Sequence, residues 1–231
     1  MRTKYKSDIT YAGGVYHITQ RAPGKELLFV EEEDYLRMIA LLKEAVETFE
    51  LDIFAFCCMP NHVHFLLRSR KDNLVTAMKF VFERYARYFN RKYDRKGHVF
   101  CGTFAAALCE HDDYFITISL YIHLNPCASG LALDPCLYRW CSIRVYMENI
   151  EKTFIDRSYL LSMLDKKLNV ARKIYQDMVY ATRNVKISKF IFENKDSAEF
   201  KKKIVEALKR SERFQTVINK IFPSFMVNDE I

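Results

Sequence analysis

The chain has 231 residues, half of them apolar, which is enough to bury a core of ordinary size in one domain with an appendage or in two small domains. We expect a cytoplasmic protein without a membrane segment, because no apolar run approaches the length of a bilayer span. We also expect neither disulfides nor a zinc site, because the seven cysteines include no CxxC motif. The net charge of +7 is concentrated in residues 68–96 and 151–231, which favours a polyanionic partner, although solvated helix faces would explain it equally well.

The N-terminal part of the chain predicts a strand, a helix and a hairpin. VYHITQ follows a Gly-Gly pair and is rich in β-branched and aromatic residues, as strands are. Apolar residues at 35, 39, 42, 46 and 49 have the spacing of one helix face, and the acidic residues 31–34 suit the start of that helix. LDIFAFCCM and HVHFLLR then read as two strands joined by a Pro-Asn turn.

The next elements continue the alternation of strands and helices. A second helix has apolar positions at 74, 78, 81, 82, 85 and 89 and ends near residue 93. TFAAALCE (103–110) predicts a fourth strand. A third helix spans roughly 114–124, with Asp112 or Asp113 as its cap, and stops at Asn125 because the residue before a proline resists the helical conformation.

The order β-α-β-β-α-β followed by a helix is that of the ferredoxin-like, split β-α-β fold. We therefore predict an α+β protein with an antiparallel sheet, packed helices and a C-terminal helical appendage. Beyond Trp140 the sequence becomes helical and rich in lysine, over about 157–182 and 196–221. This change places a loose boundary near residue 150, between a core domain at 1–150 and a basic accessory region at 151–231.

Two histidines interrupt the apolar run of the predicted third strand, in MPNHVHFLL. Residues two apart on a strand share a face, so His62 and His64 project together while Val63, Phe65 and Leu67 enter the core. Two neutral imidazoles on one face are a common platform for a metal ion. A pair of hydrogen-bonded histidines with a structural role is about as well supported by the sequence.

The third helix offers a further ligand. Thr117, Tyr121 and Asn125 are four residues apart and form a polar stripe opposite an apolar face. The amide oxygen of Asn125, two imidazoles and water suit an octahedral Mg²⁺ or Mn²⁺ better than a closed zinc site. Tyr121 would lie beside such a metal. The alternatives are a tyrosine that packs in the core and an asparagine that ends the helix.

Six sequence blocks between residues 13 and 146 carry a resemblance to a known family. They are, in chain order, GGVYHITQR, MPNHVHFLL, YARYFNRKY, GHVFCGTF, YIHLNP and YRWCSIRVY. Their combination resembles the single-tyrosine HUH transposases, and within them the REP-associated tyrosine transposase branch. The resemblance implies that His62 and His64 are metal ligands, that Asn125 is the third ligand and that Tyr121 is the nucleophile.

The resemblance also implies a reaction and a partner. The tyrosine hydroxyl attacks a phosphodiester of single-stranded or hairpin DNA, forming a 5′-phosphotyrosine and a free 3′-hydroxyl without ATP. We therefore expect a metal-dependent DNA endonuclease and strand transferase, a transposase, with Mg²⁺ or Mn²⁺ as its cofactor. The sequence does not decide whether Tyr121 serves its own chain or the partner chain of a homodimer.

A stripe of arginines on the second helix is the predicted DNA contact. Its members recur at helical spacing among aromatic residues: Arg84, Arg87, Arg91 and Arg95. Such a stripe suits a phosphate track beside stacked bases, and the alternative is a solvated face above a core that includes Tyr85 and Phe89. Arg21, after the first strand, matches a family position and is a weaker candidate. We treat His17 as structural and expect His123 to face away from the metal.

Two departures from the family pattern bear on DNA recognition. Thr103 and Ala128 stand where the family usually has arginines, so target recognition is altered or activity is reduced. One rival function is a domesticated protein that binds hairpins without cutting them. Another is an RNA-recognition module, which shares this order of elements, but its Lys/Arg-Gly-Phe strand motif is missing. The C-terminal region resembles the accessory helices of the family only faintly, and its charge would suit hairpin binding or a helix-turn-helix.

Overall fold

The computed structural model describes residues 10–24, 26–187, 191 and 197–225. Four strands form one antiparallel sheet with the spatial order β2-β3-β1-β4: β1 (Val15–Arg21), β2 (Leu51–Met59), β3 (His62–Ser69) and β4 (Ala105–Leu108). A two-residue turn joins β2 to β3, as the Pro-Asn pair predicts. The arrangement is the predicted ferredoxin-like one, and the fold class is confirmed. β4 is shorter than the predicted span of 103–110.

Two helices cover one face of the sheet: α1 (Glu32–Phe49) and α2 (Leu74–Lys92). The ring of Phe65 on β3 stacks on Phe82 of α2, with centroids 6.0 Å apart. The existence of both helices is confirmed. The most deeply buried apolar positions of α1 lie mostly one residue before the predicted ones, and they are Met38, Leu41, Leu42 and Ala45.

A third helix, α3 (Asp112–Ala128), packs against the other face of the sheet. His111 occupies its N-cap and the two aspartates lie in its first turn, so the predicted aspartate cap is wrong. The predicted end at Asn125 is also wrong, because the helix continues through Pro126. The proline removes a single main-chain donor, and the helix ends within the same turn, so only one hydrogen bond is lost.

α3 is buried on all sides, whereas the sequence predicted one polar and one apolar face. Every residue from 114 to 126 is buried. The side that does not face the sheet is covered by helices from the C-terminal part of the chain. These are α4 (Ile143–Met147), α5 (Arg157–Leu164), α6 (Leu168–Thr182), α7 (Ala198–Lys209) and α8 (Gln215–Ile221).

The helical character predicted for the C-terminal region is confirmed within the described residues, with breaks after Leu164 and Lys209. Residue 196, the predicted start of the last helical segment, lies outside them. α4 was not predicted. The boundary near residue 150 stays a prediction, and Ile155, just beyond it, forms a β-bridge with Ile53 of β2.

A buried polar cluster ties α3 to the accessory helices. His123 Nδ1 lies 2.7 Å from Tyr175 Oη of α6, and His123 Nε2 lies 2.9 Å from Ser142 Oγ. Tyr175 also donates to Ser119 Oγ at 3.1 Å. Burial lowers the pKa of His123 to about 3, so the ring is neutral and both of its nitrogens are paired. His123 thus faces away from the histidine pair of β3, as predicted, and the cluster fixes the rotation of α3.

None of the described helices is both long and apolar enough to cross a bilayer. All seven cysteines lie in the described part of the chain and are free thiols, as predicted. Cys57, Cys58 and Cys141 are core residues, whereas Cys101 is exposed.

Candidate active site and DNA interface

The histidine pair of β3 faces α3. His62 is half-buried and His64 is fully buried, and their ring centroids lie 4.9 Å apart with the planes at 83°. The alternation of β3 produces this arrangement, because Phe65, the residue after His64, points to α2 on the opposite face of the sheet. The two imidazoles therefore share a face, as predicted.

α3 brings Tyr121 and Asn125 to this pair. The ring of Tyr121 lies edge-on to His64, with centroids 5.1 Å apart. One turn later, Asn125 Nδ2 lies 3.4 Å from His64 Nε2. Residues four apart on a helix lie on the same side, so the spacing of Tyr121 and Asn125 presents the phenol and the amide together. Four of the predicted site residues thus come together within one chain.

Burial keeps the imidazoles neutral. Burial, with a smaller contribution from the charge of Arg21, lowers the pKa of His62 to about 4. Burial also lowers the pKa of His64 well below its usual value, with smaller contributions from His62 and His17. A neutral imidazole has one nitrogen lone pair available, which is the form that binds a divalent metal. At neutral pH no proton has to be displaced.

The donor atoms in this cluster fit a divalent metal ion. His62 Nδ1–H donates to Asn61 Oδ1 at 2.7 Å, which leaves the ring lone pair on Nε2. A half-turn of the Asn125 amide exchanges its nitrogen for its oxygen near His64. In the described part of the chain, no three His, Cys, Asp or Glu side chains gather into a metal cluster. A site here therefore consists of two imidazoles, one amide and water, an open set that suits Mg²⁺ or Mn²⁺.

The hydroxyl of Tyr121 is enclosed by the C-terminal part of the chain. Tyr121 is 1% exposed, the N–H of Ile191 donates to its Oη at 3.3 Å, and the ring of Phe200 on α7 packs edge-on with centroids 5.8 Å apart. Burial raises the pKa of Tyr121 to about 12, although hydrogen bonds with Ile191 and Asn125 oppose the rise. The phenol is therefore protonated at neutral pH and has to lose its proton as it reacts.

The sequence did not identify one member of this cluster, His17 of β1. His17 Nε2 lies 3.0 Å from His64 Nδ1, and the two rings stack with centroids 5.1 Å apart. The ring of Tyr121 lies 6.1 Å from that of His17. Thr19, two residues along β1, pairs directly with His64. The alternation on β1 was readable, but only the register between β1 and β3 brings His17 to His64.

Three members of the predicted arginine stripe, Arg84, Arg87 and Arg91, lie on α2, on the opposite side of the sheet from Tyr121. The placement of Arg95 on this helix was wrong, because α2 ends at Lys92. Arg84 pairs with Glu44 at 2.9 Å, and Arg95 pairs with Glu26 at 2.6 Å. These two guanidinium groups are therefore partly neutralised by acidic residues of the chain itself.

Arg87 and Arg91 are exposed and line a groove between α1 and α2. The groove has a volume of about 710 Å³, and its other lining residues include Arg37, Tyr88 and Lys92. Its lining contains no acidic side chain among the described residues. Lys92 pairs with Glu31, Glu33 and Asp34, so the positive charge of the groove comes mainly from its arginines. A phosphate backbone could enter a groove of this size.

Two aromatic residues among the arginines belong to the core, which is the alternative that the sequence left open. Tyr85 and Phe89 are buried, and Tyr85 Oη donates to the main-chain oxygen of Leu28. They pack between α2 and the sheet, so they do not stack bases. Arg21 is exposed at the end of β1, opposite His62, and so lies on the same side of the sheet as Tyr121.

Comparisons with known proteins identify the family and the fold. The chain matches the family model described as "Transposase IS200 like" over residues 10–125, about half of its length. No curated protein matches it significantly. A solved REP-associated tyrosine transposase bound to a REP hairpin is 13% identical in sequence to this chain, and the match covers 64% of this chain and 86% of that chain. The TM-score of 0.54 shows a shared fold. A tRNA(His) guanylyltransferase from Saccharomyces cerevisiae is 12% identical over 78% and 82% of the two chains, but its TM-score of 0.35 is too low to bear on function. On the family match, the chain belongs to the IS200-like transposase family.

Proposed function

We propose that the chain is a metal-dependent single-stranded DNA endonuclease and strand transferase that acts at hairpin DNA through a covalent phosphotyrosine at Tyr121. The observation that carries this proposal is the meeting of Tyr121, Asn125 and His64 in one buried cluster. The solved transposase with a similar fold is bound to a REP hairpin, which supports hairpin DNA as the partner.

The proposed cleavage is a direct displacement at phosphorus. The Oη atom of Tyr121 attacks, a bond from Oη to phosphorus forms, and the bond from phosphorus to the 3′-oxygen breaks. The phenol loses its proton and the 3′-oxygen gains one, which leaves a 5′-phosphotyrosine and a free 3′-hydroxyl. Attack by another 3′-hydroxyl on the phosphotyrosine reverses the step and joins a strand, so no ATP is needed.

His62 and His64, through their Nε2 atoms, and Asn125, through Oδ1, would hold Mg²⁺ or Mn²⁺. The bound ion would offset the negative charge that builds up on the phosphate. The residues themselves prepare the site: burial keeps both imidazoles neutral, and Asn61 fixes the orientation of the His62 ring. The i, i+4 spacing on α3 holds the nucleophile beside the amide ligand.

Tyr121 acts within its own chain in this proposal, because its ring already lies against His64 of the same chain. The buried cluster around His123 supports this arrangement, since it anchors α3 to α6 of the same chain. A homodimer stays a prediction, and the proposed reaction does not require one.

The rival RNA-recognition function has less support. Sheets of that kind stack bases on aromatic residues of an open face. Here α1 and α2 cover one face of the sheet and α3 covers the other. Even the edge strand β2 is buried along its whole length, so the described part of the chain leaves no open face for stacking bases. A domesticated, non-cleaving protein remains the alternative that experiment has to separate.

The test is an adduct assay on the full chain. Labelled hairpin DNA with single-stranded flanks is incubated with the protein and Mn²⁺, and the products are separated on a denaturing gel. We expect a labelled species at the mass of protein plus DNA, with the nucleotide mapped to Tyr121 by peptide mass spectrometry. Binding without an adduct, over a range of flanking sequences and metals, would support the domesticated alternative. Equal affinity for an RNA of the same sequence would support the recognition module.

The groove between α1 and α2 is the proposed contact for the DNA backbone. Replacing both Arg87 and Arg91 with glutamine should weaken binding to all hairpin sequences alike. If each arginine neutralises one phosphate, the slope of log affinity against log salt concentration should fall by about 1.4 to 1.8. Glutamine at Lys166 and Lys167, which are exposed before α6, is the matched removal of two charges and should change the slope less. An unchanged slope in the arginine variant would exclude the groove from the DNA path.

A further inference from the structure

We propose that His17 is a positioning residue for His64: it accepts the Nδ1–H of His64 and so keeps the lone pair of His64 on Nε2, directed at Asn125. This inference rests on the proposed metal site. It goes beyond the proposed function because it gives a role to a residue outside the predicted ligand set. The contact that carries it is the 3.0 Å distance between His17 Nε2 and His64 Nδ1, deep in the core.

A single hydrogen lies between these two nitrogens, and its position decides whether His64 can bind a metal. If His17 donated it, the neutral His64 ring would carry its own proton on Nε2, the atom that faces Asn125. That atom could then not act as a ligand. If His64 donates it, Nε2 of His64 has a free lone pair. Both rings are fully buried and neutral, so the form with protons on every nitrogen does not arise.

The surroundings favour the second arrangement. Asn125 Nδ2, a donor, lies 3.4 Å from His64 Nε2, and this arrangement suits a lone pair on Nε2. The same lone pair is what a metal ion would need when the amide turns to present Oδ1. The Thr19 hydroxyl lies 3.4 Å from both His17 Nε2 and His64 Nδ1, too far to replace the direct contact. The proton on His64 is therefore best placed on Nδ1, with His17 as its acceptor.

This arrangement has a cost that points to function. With Nε2 as the acceptor, His17 carries its proton on Nδ1, which is buried and has no hydrogen-bond partner among the described residues. A buried donor without a partner lowers stability, and an apolar side chain of similar size would avoid the loss. His17 therefore contributes something other than stability at this position. Metal-binding histidines commonly have their second nitrogen fixed by such a partner.

Two variants separate positioning from packing. His17→Phe keeps a ring in the core and removes the acceptor, whereas His17→Gln offers an amide oxygen as a replacement acceptor. Calorimetric titration of the full chain with Mn²⁺ should show affinity falling about 10- to 100-fold in His17→Phe and partly recovering in His17→Gln. Thr19→Val, which changes the same pocket but not the direct contact, is the matched control and should bind Mn²⁺ nearly as the wild type does.

The tautomer of His64 gives a readout that packing alone would not move. In metal-free protein, ¹⁵N shifts of the histidine rings should place the proton of His64 on Nδ1 in the wild type and move it toward Nε2 in His17→Phe. A proton on Nε2 of wild-type His64 would overturn the inference even if neither variant folds. Unchanged Mn²⁺ affinity in folded His17→Phe would overturn it too. Wild-type protein that binds Mn²⁺ through His64 but forms no DNA adduct would instead overturn the proposed function and leave the role of His17 intact.

Discussion

Tyr121→Phe should abolish formation of the covalent DNA adduct, with a loss of at least about 10³-fold, while hairpin binding persists. The substitution removes the one oxygen that attacks phosphorus in the proposed reaction. It retains the ring, which packs against His64, His17 and Phe200. Because the arginine groove lies on the other side of the sheet, affinity for the hairpin should not depend on the phenol.

The fold should tolerate this substitution. Tyr121 Oη accepts one hydrogen bond from the main chain of Ile191, and losing one such bond costs about 1 kcal/mol. The expected loss of activity therefore reflects missing chemistry, and circular dichroism with thermal unfolding of the variant would verify that the fold is kept.

Tyr114→Phe is the matched control for this experiment. Tyr114 is also a fully buried tyrosine of α3, two turns before Tyr121. Removing its hydroxyl group should leave the rate of adduct formation unchanged. His64→Ala should lower adduct formation by about 10²-fold or more, because it removes a proposed metal ligand and opens a cavity beside the phenol. Adduct at the wild-type rate in Tyr121→Phe would mean that another side chain is the nucleophile, and peptide mapping would identify it.

The sheet and the histidine pair were predictable because they depend on short-range patterns. Alternation on β3 sets the shared face of His62 and His64, and the spacing on α3 sets the shared side of Tyr121 and Asn125. Both patterns act within one element. The polar stripe of the third helix suggested that the two elements meet, and the family resemblance implied it. In the structure His64 contacts both α3 residues.

The features that were missed depend on how elements pack. His17 reaches His64 only through the register of β1 against β3, which a single strand does not encode. The helical spacing of Arg87 and Arg91 predicted a stripe but not which side of the sheet it would occupy. α3 was expected to have a polar face, yet the accessory helices bury that face as well. Its lack of charged residues after the first turn was a signal of complete burial.

Mild acid should destabilise this chain. The four buried or half-buried histidines are neutral in the folded state: burial lowers the pKa of His17 to about 3, of His62 to about 4 and of His123 to about 3, and lowers that of His64 strongly. In the unfolded chain these rings bind protons below about pH 6.5. Since the unfolded state takes up the protons, stability is fully present above that pH and is lost as the pH falls toward the folded values.

The loss should be large enough to measure by urea unfolding in metal-free buffer. Between about pH 7.5 and 5.5 each histidine should lower the free energy of unfolding by about 1.4 kcal/mol, so the four together lower it by about 5 kcal/mol. Burial alone would raise the pKa of Asp34, but hydrogen bonds from Glu31, Tyr93 and other groups lower it to about 2. Asp34 therefore titrates below this pH range. His123→Asn should reduce the loss by about a quarter. A free energy of unfolding that does not change across this range would mean that the folded chain takes up as many protons as the unfolded chain, so its imidazoles would be charged. Charged imidazoles could not serve as the neutral metal ligands on which the proposed cleavage depends.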